Sequence, residues 1–323
     1  MESAIVCVLI GLIAIDLILH LTFALIVLPT FERKPLFGVQ PATPDGRAER
    51  ITIPTSHGLS LRGSLYRQES RPARGLILFC PELGGNHWSA GNYCEGLMDA
   101  GFDVLSFDFR SQGESDRMPG YEPLHWLTDF EVRDVLAAIN YARQHEELRD
   151  LPMGLLGISR GAGAALAAVA RCRGIHLVAG EGVYSTDSLL THYALRWATL
   201  YVPGWLLALL PLWHLHATLG VTRWLSQLRR RCQYTDLESL LPRLADKRVF
   251  MIAGGRDTYV APEITETLSR RIDPDGPGVW IVPEAKHNMA RSVDPDEYDR
   301  KLVGFFSQLA ARTPSGAIHQ PQL

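Results

Sequence analysis

The sequence predicts an α/β fold: a mostly parallel sheet with helices on both faces, a helical cap, and an N-terminal transmembrane helix. Three observations lead there. Short, almost wholly apolar runs alternate with helical patterns, as strands buried on both faces do in parallel sheets. Residues 183–247 break that alternation with a long stretch that has no strand pattern. Residues 4–28 read AIVCVLIGLIAIDLILHLTFALIVL, long enough to cross a hydrocarbon core as a helix.

The anchor is assigned to residues 1–30, with Pro29 expected to stop it. A cleavable signal peptide is the competing reading. It needs a basic leading region, and Met1-Glu2-Ser3 has none. No basic residue precedes the helix, whereas Arg33, Lys34, Arg47 and Arg50 follow it. The positive-inside rule then predicts a single-pass membrane protein with its C-terminal domain in the cytoplasm. Asp16 and His20 interrupt the apolar run on one helical face. They are expected either to satisfy each other or to mark a functional or helix–helix contact.

Residues 31–49 read as a linker punctuated by prolines. Ile51-Thr52-Ile53 and residues 59–66 flank a polar turn and predict an antiparallel hairpin. Core strands are expected at 75–80, 103–107, 153–157, 176–179, 248–253 and 279–282. Helices are expected at 90–100, 129–143, 160–172, 262–272 and 296–311. The domain is therefore drawn as 50–312, with its cap at about 183–247 and a disordered tail at 313–323. In the cap, Pro203 and Pro211 are expected to cut the chain into short helices, too short for a second span. Its tryptophans (Trp197, Trp205, Trp213 and Trp224) are expected to form the cap's core, to line an acyl pocket, or to dock on a bilayer.

Charge and cysteine content exclude several classes. Thirty-two basic residues against thirty-five acidic ones give a net charge of −3, with no basic excess for nucleic acid. The five cysteines are widely spaced and weakly favour a reducing compartment. No Cys/His group has zinc spacing, and no metal or organic cofactor is expected.

Gly157-Ile158-Ser159-Arg160-Gly161 is a G-x-S-x-G motif. A strand pattern precedes it and an alanine-rich helix pattern follows, the setting in which a tight turn presents a serine at a helix N-terminus. A serine hydroxyl needs a base to take its proton. His287 follows the last strand, and Asp257 follows the strand before it. Both thus lie at carboxyl ends of strands, where open α/β sheets place their sites.

With these residues in view, the chain resembles the α/β-hydrolase superfamily, in its serine aminopeptidase-like and lysophospholipase-like branch, among members with an N-terminal membrane anchor. The landmarks are Gly157 to Gly161, Asp257, His287, and Asp108-Phe109-Arg110-Ser111-Gln112-Gly113-Glu114-Ser115, which is similar to the family's D-x-R-G-x-G-x-S stretch. The resemblance covers residues 50–311 and implies a Ser159–His287–Asp257 triad, the chain order this fold uses. It also implies an oxyanion hole made by the backbone N–H groups of Leu83 and Arg160. Where the family has His-Gly after the first core strand, this sequence has Pro81-Glu82. Glu82 is expected to point away from the oxyanion or to pair with a basic residue.

The function expected is cleavage of an ester or thioester through an acyl-enzyme on Ser159. The substrate is expected to be a small molecule or lipid-like ester, such as a lysophospholipid or acylglycerol. An aminopeptidase-like peptidase with Glu181 or Glu82 facing a peptide amine, an acyltransferase on the same triad, and a non-catalytic membrane scaffold are the alternatives.

Overall fold

A computed structural model describes residues 2–34, 38–56, 58–68, 73–201, 203–207 and 211–312. The tail expected at 313–323 lies outside the described residues. Eight strands form one sheet: β1 (Ala48–Pro54), β2 (Ser60–Tyr66), β3 (Leu76–Cys80), β4 (Asp103–Phe107), β5 (Met153–Ile158), β6 (Leu177–Glu181), β7 (Arg248–Gly254) and β8 (Val279–Val282). Their spatial order is β1-β2-β4-β3-β5-β6-β7-β8. The β1–β2 and β2–β4 pairs are antiparallel, and all the others are parallel. β3, β4, β5 and β6 are buried along their whole length, as their almost wholly apolar runs predict.

The helices are α1 (Glu2–Phe31), α2 (Ala90–Asp99), α3 (Asp129–Gln144), α4 (Arg160–Arg171), α5 (Thr186–Tyr201), α6 (Gly204–Leu207), α7 (Leu212–Arg230), α8 (Leu237–Leu240), α9 (Pro262–Ile272), α10 (Ala290–Val293) and α11 (Pro295–Phe306). Two apolar clusters sandwich the sheet. One draws on α3, α4 and α9, and the other on α2 and α11. Thr128 caps α3 reciprocally with Glu131, a buried capping box.

The structure corrects two expectations. Pro29 does not stop α1, which continues to Phe31. The last turn is held from outside: Phe31 stacks on Trp126 at 4.9 Å, and Trp126 Nε1 donates to the Phe31 carbonyl at 2.7 Å. The prolines of the insertion do not leave only short helices either, because α7 is 19 residues long. Pro211 stands just before its first turn, where a missing N–H costs nothing. α7 then packs along α1. α1 is long and apolar enough to cross a membrane, a property shared by signal sequences.

Candidate active site

The turn between β5 and α4 places Ser159 at φ 54° and ψ −120°, a conformation that side chains rarely adopt. Packing enforces it. A Cβ on Gly157 would come within 2.5 Å of Ala162 Cα, and one on Gly161 within 2.2 Å of the Cys80 carbonyl oxygen. Both flanking positions therefore admit glycine alone. The Ser159 N–H donates to the Glu181 carbonyl at 2.7 Å, which ties the turn to the end of β6.

The loops after β7 and β8 bring the partners in. Ser159 Oγ lies 2.8 Å from His287 Nε2, and His287 Nδ1 lies 2.6 Å from Asp257 Oδ2. The other carboxylate oxygen of Asp257 accepts the N–H groups of Tyr259 and Val260, each at 2.8 Å. The carboxylate is thus fully occupied and its orientation fixed. His287 is steered from three further sides. Tyr259 meets it edge-on at 5.0 Å, Asn288 beside it takes φ 58°, and a Cβ on Gly182 would approach its ring to 2.9 Å. The three predicted residues converge from loops far apart in sequence.

The predicted oxyanion donors sit where β3 meets the first turn of α4. Gly161 lies against the carbonyls of Cys80 and Pro81, which brings the Pro81–Asn86 turn beside the head of the helix. The Arg160 amide heads α4, where an N–H has no intrahelical acceptor. The Arg160 side chain turns away into the core, donating to the Leu124 carbonyl at 2.7 Å with Glu131 at 3.5 Å. Leu83 lines a cavity of about 540 Å³ whose other walls include Val39, Pro41, Gln112 and Met118. Gln112 Oε1 accepts the Gly84 N–H at 3.3 Å, so the Asp108–Ser115 stretch supports this turn. That stretch is itself wound on Asp108, whose carboxylate accepts the N–H groups of His87 and Glu114. Gly113 is needed there because a Cβ would strike Asp108 Oδ2 at 2.0 Å.

Of the two expectations for Glu82, the structure corrects the second: among the described residues no basic group pairs with its carboxylate. Glu82 is 4 % exposed, folded under its own turn against Gly85, with Tyr93 as its hydrogen-bonding neighbour. Burial pushes its carboxyl up to about 7. Glu181 is buried close by, accepts the Ala290 N–H at 2.9 Å, and is likewise pushed up by burial to about 7, with Glu82 adding to the shift. Two carboxyls therefore share one dry region below the Ser159 turn, and protonation is how such a pair is tolerated.

Sequence reasoning missed the aromatic surround. Tyr184 donates to the His125 carbonyl at 2.5 Å, and its ring lies 6.1 Å from that of Tyr259. Tyr193 on α5 donates to the Tyr259 carbonyl at 2.9 Å. His125 is held neutral by burial and by the nearby Arg160 charge, its imidazole pushed down to about 3. Tyr184, His125 and Tyr259 sit in loops without periodicity, and Tyr193 lies in helix α5 of the insertion.

A model of the alpha/beta hydrolase family matches residues 77–300. Among curated proteins, the uncharacterized protein YfhR of Salmonella typhi is 29% identical over 147 residues, 43% of this chain and 45% of that protein. The uncharacterized protein PA2218 of Pseudomonas aeruginosa is 26% identical over 148 residues, 44% of this chain and 38% of that protein. The chain thus spans less than half the length of the curated relatives it matches. The Pyrococcus furiosus esterase Pf2001 superposes with a TM-score of 0.58 at 19% identity, covering 86% of this chain and 97% of that structure. Acetyl xylan esterase 1 from Thermoanaerobacterium sp. JW/SL YS485 gives 0.57 at 16% identity, over 91% and 93%. At such identities the likeness speaks to fold.

Proposed function

This chain belongs to the alpha/beta hydrolase family, and from that premise we propose that it is a membrane-anchored serine hydrolase cleaving ester or thioester bonds of hydrophobic substrates. The observation that carries the proposal is the continuous chain from Ser159 Oγ through His287 to Asp257, with spacings of 2.8 and 2.6 Å. In this reading His287 Nε2 takes the Ser159 proton as Oγ attacks the carbonyl carbon. Asp257 holds the Nδ1–H tautomer and stabilises the imidazolium. The amides of Leu83 and Arg160 receive the oxyanion. His287 then protonates the leaving alcohol or thiol, and a water activated by the same imidazole releases the acid from the acyl-enzyme.

The buried state of Glu82 and Glu181 supports an ester over a peptide substrate, since neither carboxyl reaches the surface to meet a peptide amine. The apolar α1 supports a membrane location. The four basic residues that follow α1 favour a cytoplasmic domain.

The test is fluorophosphonate labelling of the full chain in membranes, with Ser159→Ala and His287→Ala beside the wild type and a p-nitrophenyl ester series of rising chain length. Labelling of the wild type alone, with turnover peaking at medium or long chains, is expected. A folded wild type that does not label sinks the proposal and leaves a non-catalytic scaffold. Labelling that persists in Ser159→Ala moves the nucleophile elsewhere.

A further inference from the structure

We infer that the described tip of the insertion, the last turns of α5, residues 203–207 and the first turns of α7, is a re-entrant hairpin immersed in the acyl chains of one bilayer leaflet beside α1. The inference rests on reading α1 as a membrane span.

Direction is the first argument. α1 and α7 run side by side with the same sense. His20 meets Thr218 at 2.8 Å and His214 at 3.3 Å, while Glu32 meets Ser226 at 2.9 Å and Arg229 at 3.5 Å. α7 therefore starts high on α1 and descends toward the hydrolase domain. α5 runs the opposite way, with Asp187 beside Arg223 near its start and Leu195 sharing a groove with His216 and Leu219 farther along.

Charge is the second. Residues 197–222 contain no Asp, Glu, Lys or Arg, and neither do residues 17–31 of α1. Charge returns where α1 and α7 reach the domain, with Glu32 beside Arg229 at the end of α1 and Arg223 beside Asp187 at the base of α5, while Arg196 stands farther along α5, next to Leu195 of the groove that holds His216. An aqueous cap has no reason to lose its charges where it climbs beside an apolar helix, whereas an immersed one must.

Exposure is the third. Trp197, Leu200, Trp205, Leu206, Leu212 and Trp213 are 40–76 % exposed, and all lie at the tip. Trp224, next to Arg223 at the level where charge returns, is also exposed, as tryptophans at a membrane–water interface are. The exposed His216 faces a groove shared with His192 and Leu195 of α5.

Length is consistent with one leaflet. From Leu212 to Arg223 a helix rises about 16 Å, about half of a ~30 Å hydrocarbon core. The hairpin also accounts for the polar pair in α1. Asp16 lies 3.5 Å from His20 and 3.6 Å from His214, so the tip brings the partners that make an intramembrane carboxylate tolerable.

The experiment uses the full chain in phosphatidylcholine vesicles, with Cys7 and Cys172 replaced by serine and a single spin label at position 206 or 13. Circular dichroism verifies folding. Collision with oxygen, which concentrates in lipid, is compared with collision with a water-soluble nickel chelate. Oxygen-dominated relaxation at both positions is expected. A nickel-dominated label at 206 with a lipid-exposed label at 13 overturns the hairpin and leaves the anchor standing. Nickel dominance at 13 overturns the anchor and the hairpin with it. Shielding from both agents at 206 assigns the tip to a protein contact and overturns the inference as well. In an independent measurement free of substitutions, brominated lipid is expected to quench a large part of the native tryptophan emission. Emission equal to that in unbrominated vesicles would count against immersion.

Discussion

Replacing Asp257 by asparagine isolates the one thing a carboxylate does here that an amide cannot. Oδ1 of Asp257 accepts two backbone N–H groups, from Tyr259 and Val260, while Oδ2 faces His287 Nδ1 at 2.6 Å. An asparagine has one acceptor oxygen. The two fixed N–H donors claim it, so the NH2 group is forced toward His287. An imidazole facing that donor offers a lone pair on Nδ1 and carries its proton on Nε2, where it can no longer take one from Ser159. To react, the ring must turn Nδ1–H against N–H. That leaves a buried donor unsatisfied, at about 1–3 kcal/mol, and forfeits a charge-assisted bond of about 1.5–3 kcal/mol to the imidazolium. The sum, about 4 kcal/mol, corresponds to roughly a thousandfold at ~1.4 kcal/mol per decade. The assay is the second-order rate of fluorophosphonate labelling, run with ester turnover and a thermal melt to verify folding. Folded Asp257→Asn protein retaining a rate within tenfold of wild type would refute the assigned roles of Asp257 and His287.

Further outcomes follow from individual contacts. Gly161→Ala puts a Cβ 2.2 Å from the Cys80 carbonyl and must separate the Pro81–Asn86 turn from α4; a shift of about 1 Å between the oxyanion donors lowers the labelling rate on the order of 100-fold, and an unchanged rate would argue against that oxyanion hole. Arg110 and Asp134 form a fully buried pair, with Nη2–Oδ1 at 2.5 Å; Arg110→Met alone destabilises by about 3–5 kcal/mol in thermal or urea unfolding, and Arg110→Met with Asp134→Leu recovers most of it. Burial holds Glu82 near 7, above its ordinary 4.5, so between those values the native state binds a proton that the unfolded chain has lost, and stability falls as pH rises through that window. Glu82→Gln removes this, and its Tm relative to wild type rises by roughly 5 °C between pH 5 and pH 8.5; a difference independent of pH would show that the carboxyl is not held up.

The core of the sheet was legible because burial on both faces writes itself as unbroken apolar runs. β4 and β8 span the residues 103–107 and 279–282 expected of them, although β4 carries Asp103 and Ser106 and β8 is only partly buried, and Pro262 marks the start of α9. Ser159, His287 and Asp257 were legible for a related reason: each follows a readable strand, and strand ends are where such sheets gather side chains. Glu82 was not legible. Its position one residue past Pro81 says that it is near the oxyanion turn, but whether it turns out or under depends on Gly85 and Tyr93, which only the fold brings to it. The same holds for Asp16 and His20. Their i,i+4 spacing was visible, whereas His214 and Thr218 lie about two hundred residues away and meet them through tertiary packing.

The geometry sets the floor of the site apart from its roof. Ser159 is 6 % exposed, and the side chain of His287 is 13 % exposed. The floor of the site cannot open. Gly157 and Gly161 are packed against backbone below van der Waals separation for any added atom, and Asp257 is fixed by two main-chain bonds. The roof is different. It consists of Tyr184, Tyr259 and α5, which is held at its base by the buried Leu189, the Ser188–Glu238 bond at 2.5 Å and the Arg223–Asp187 ion pair at 2.6 Å, and farther along by the Tyr193–Tyr259 carbonyl bond at 2.9 Å. The polar contacts among these, partly exposed to solvent, contribute on the order of 1 kcal/mol each. α5 is therefore held by side chains at its base and by one bond farther along, whereas the Ser159 turn is held by backbone packing on both sides.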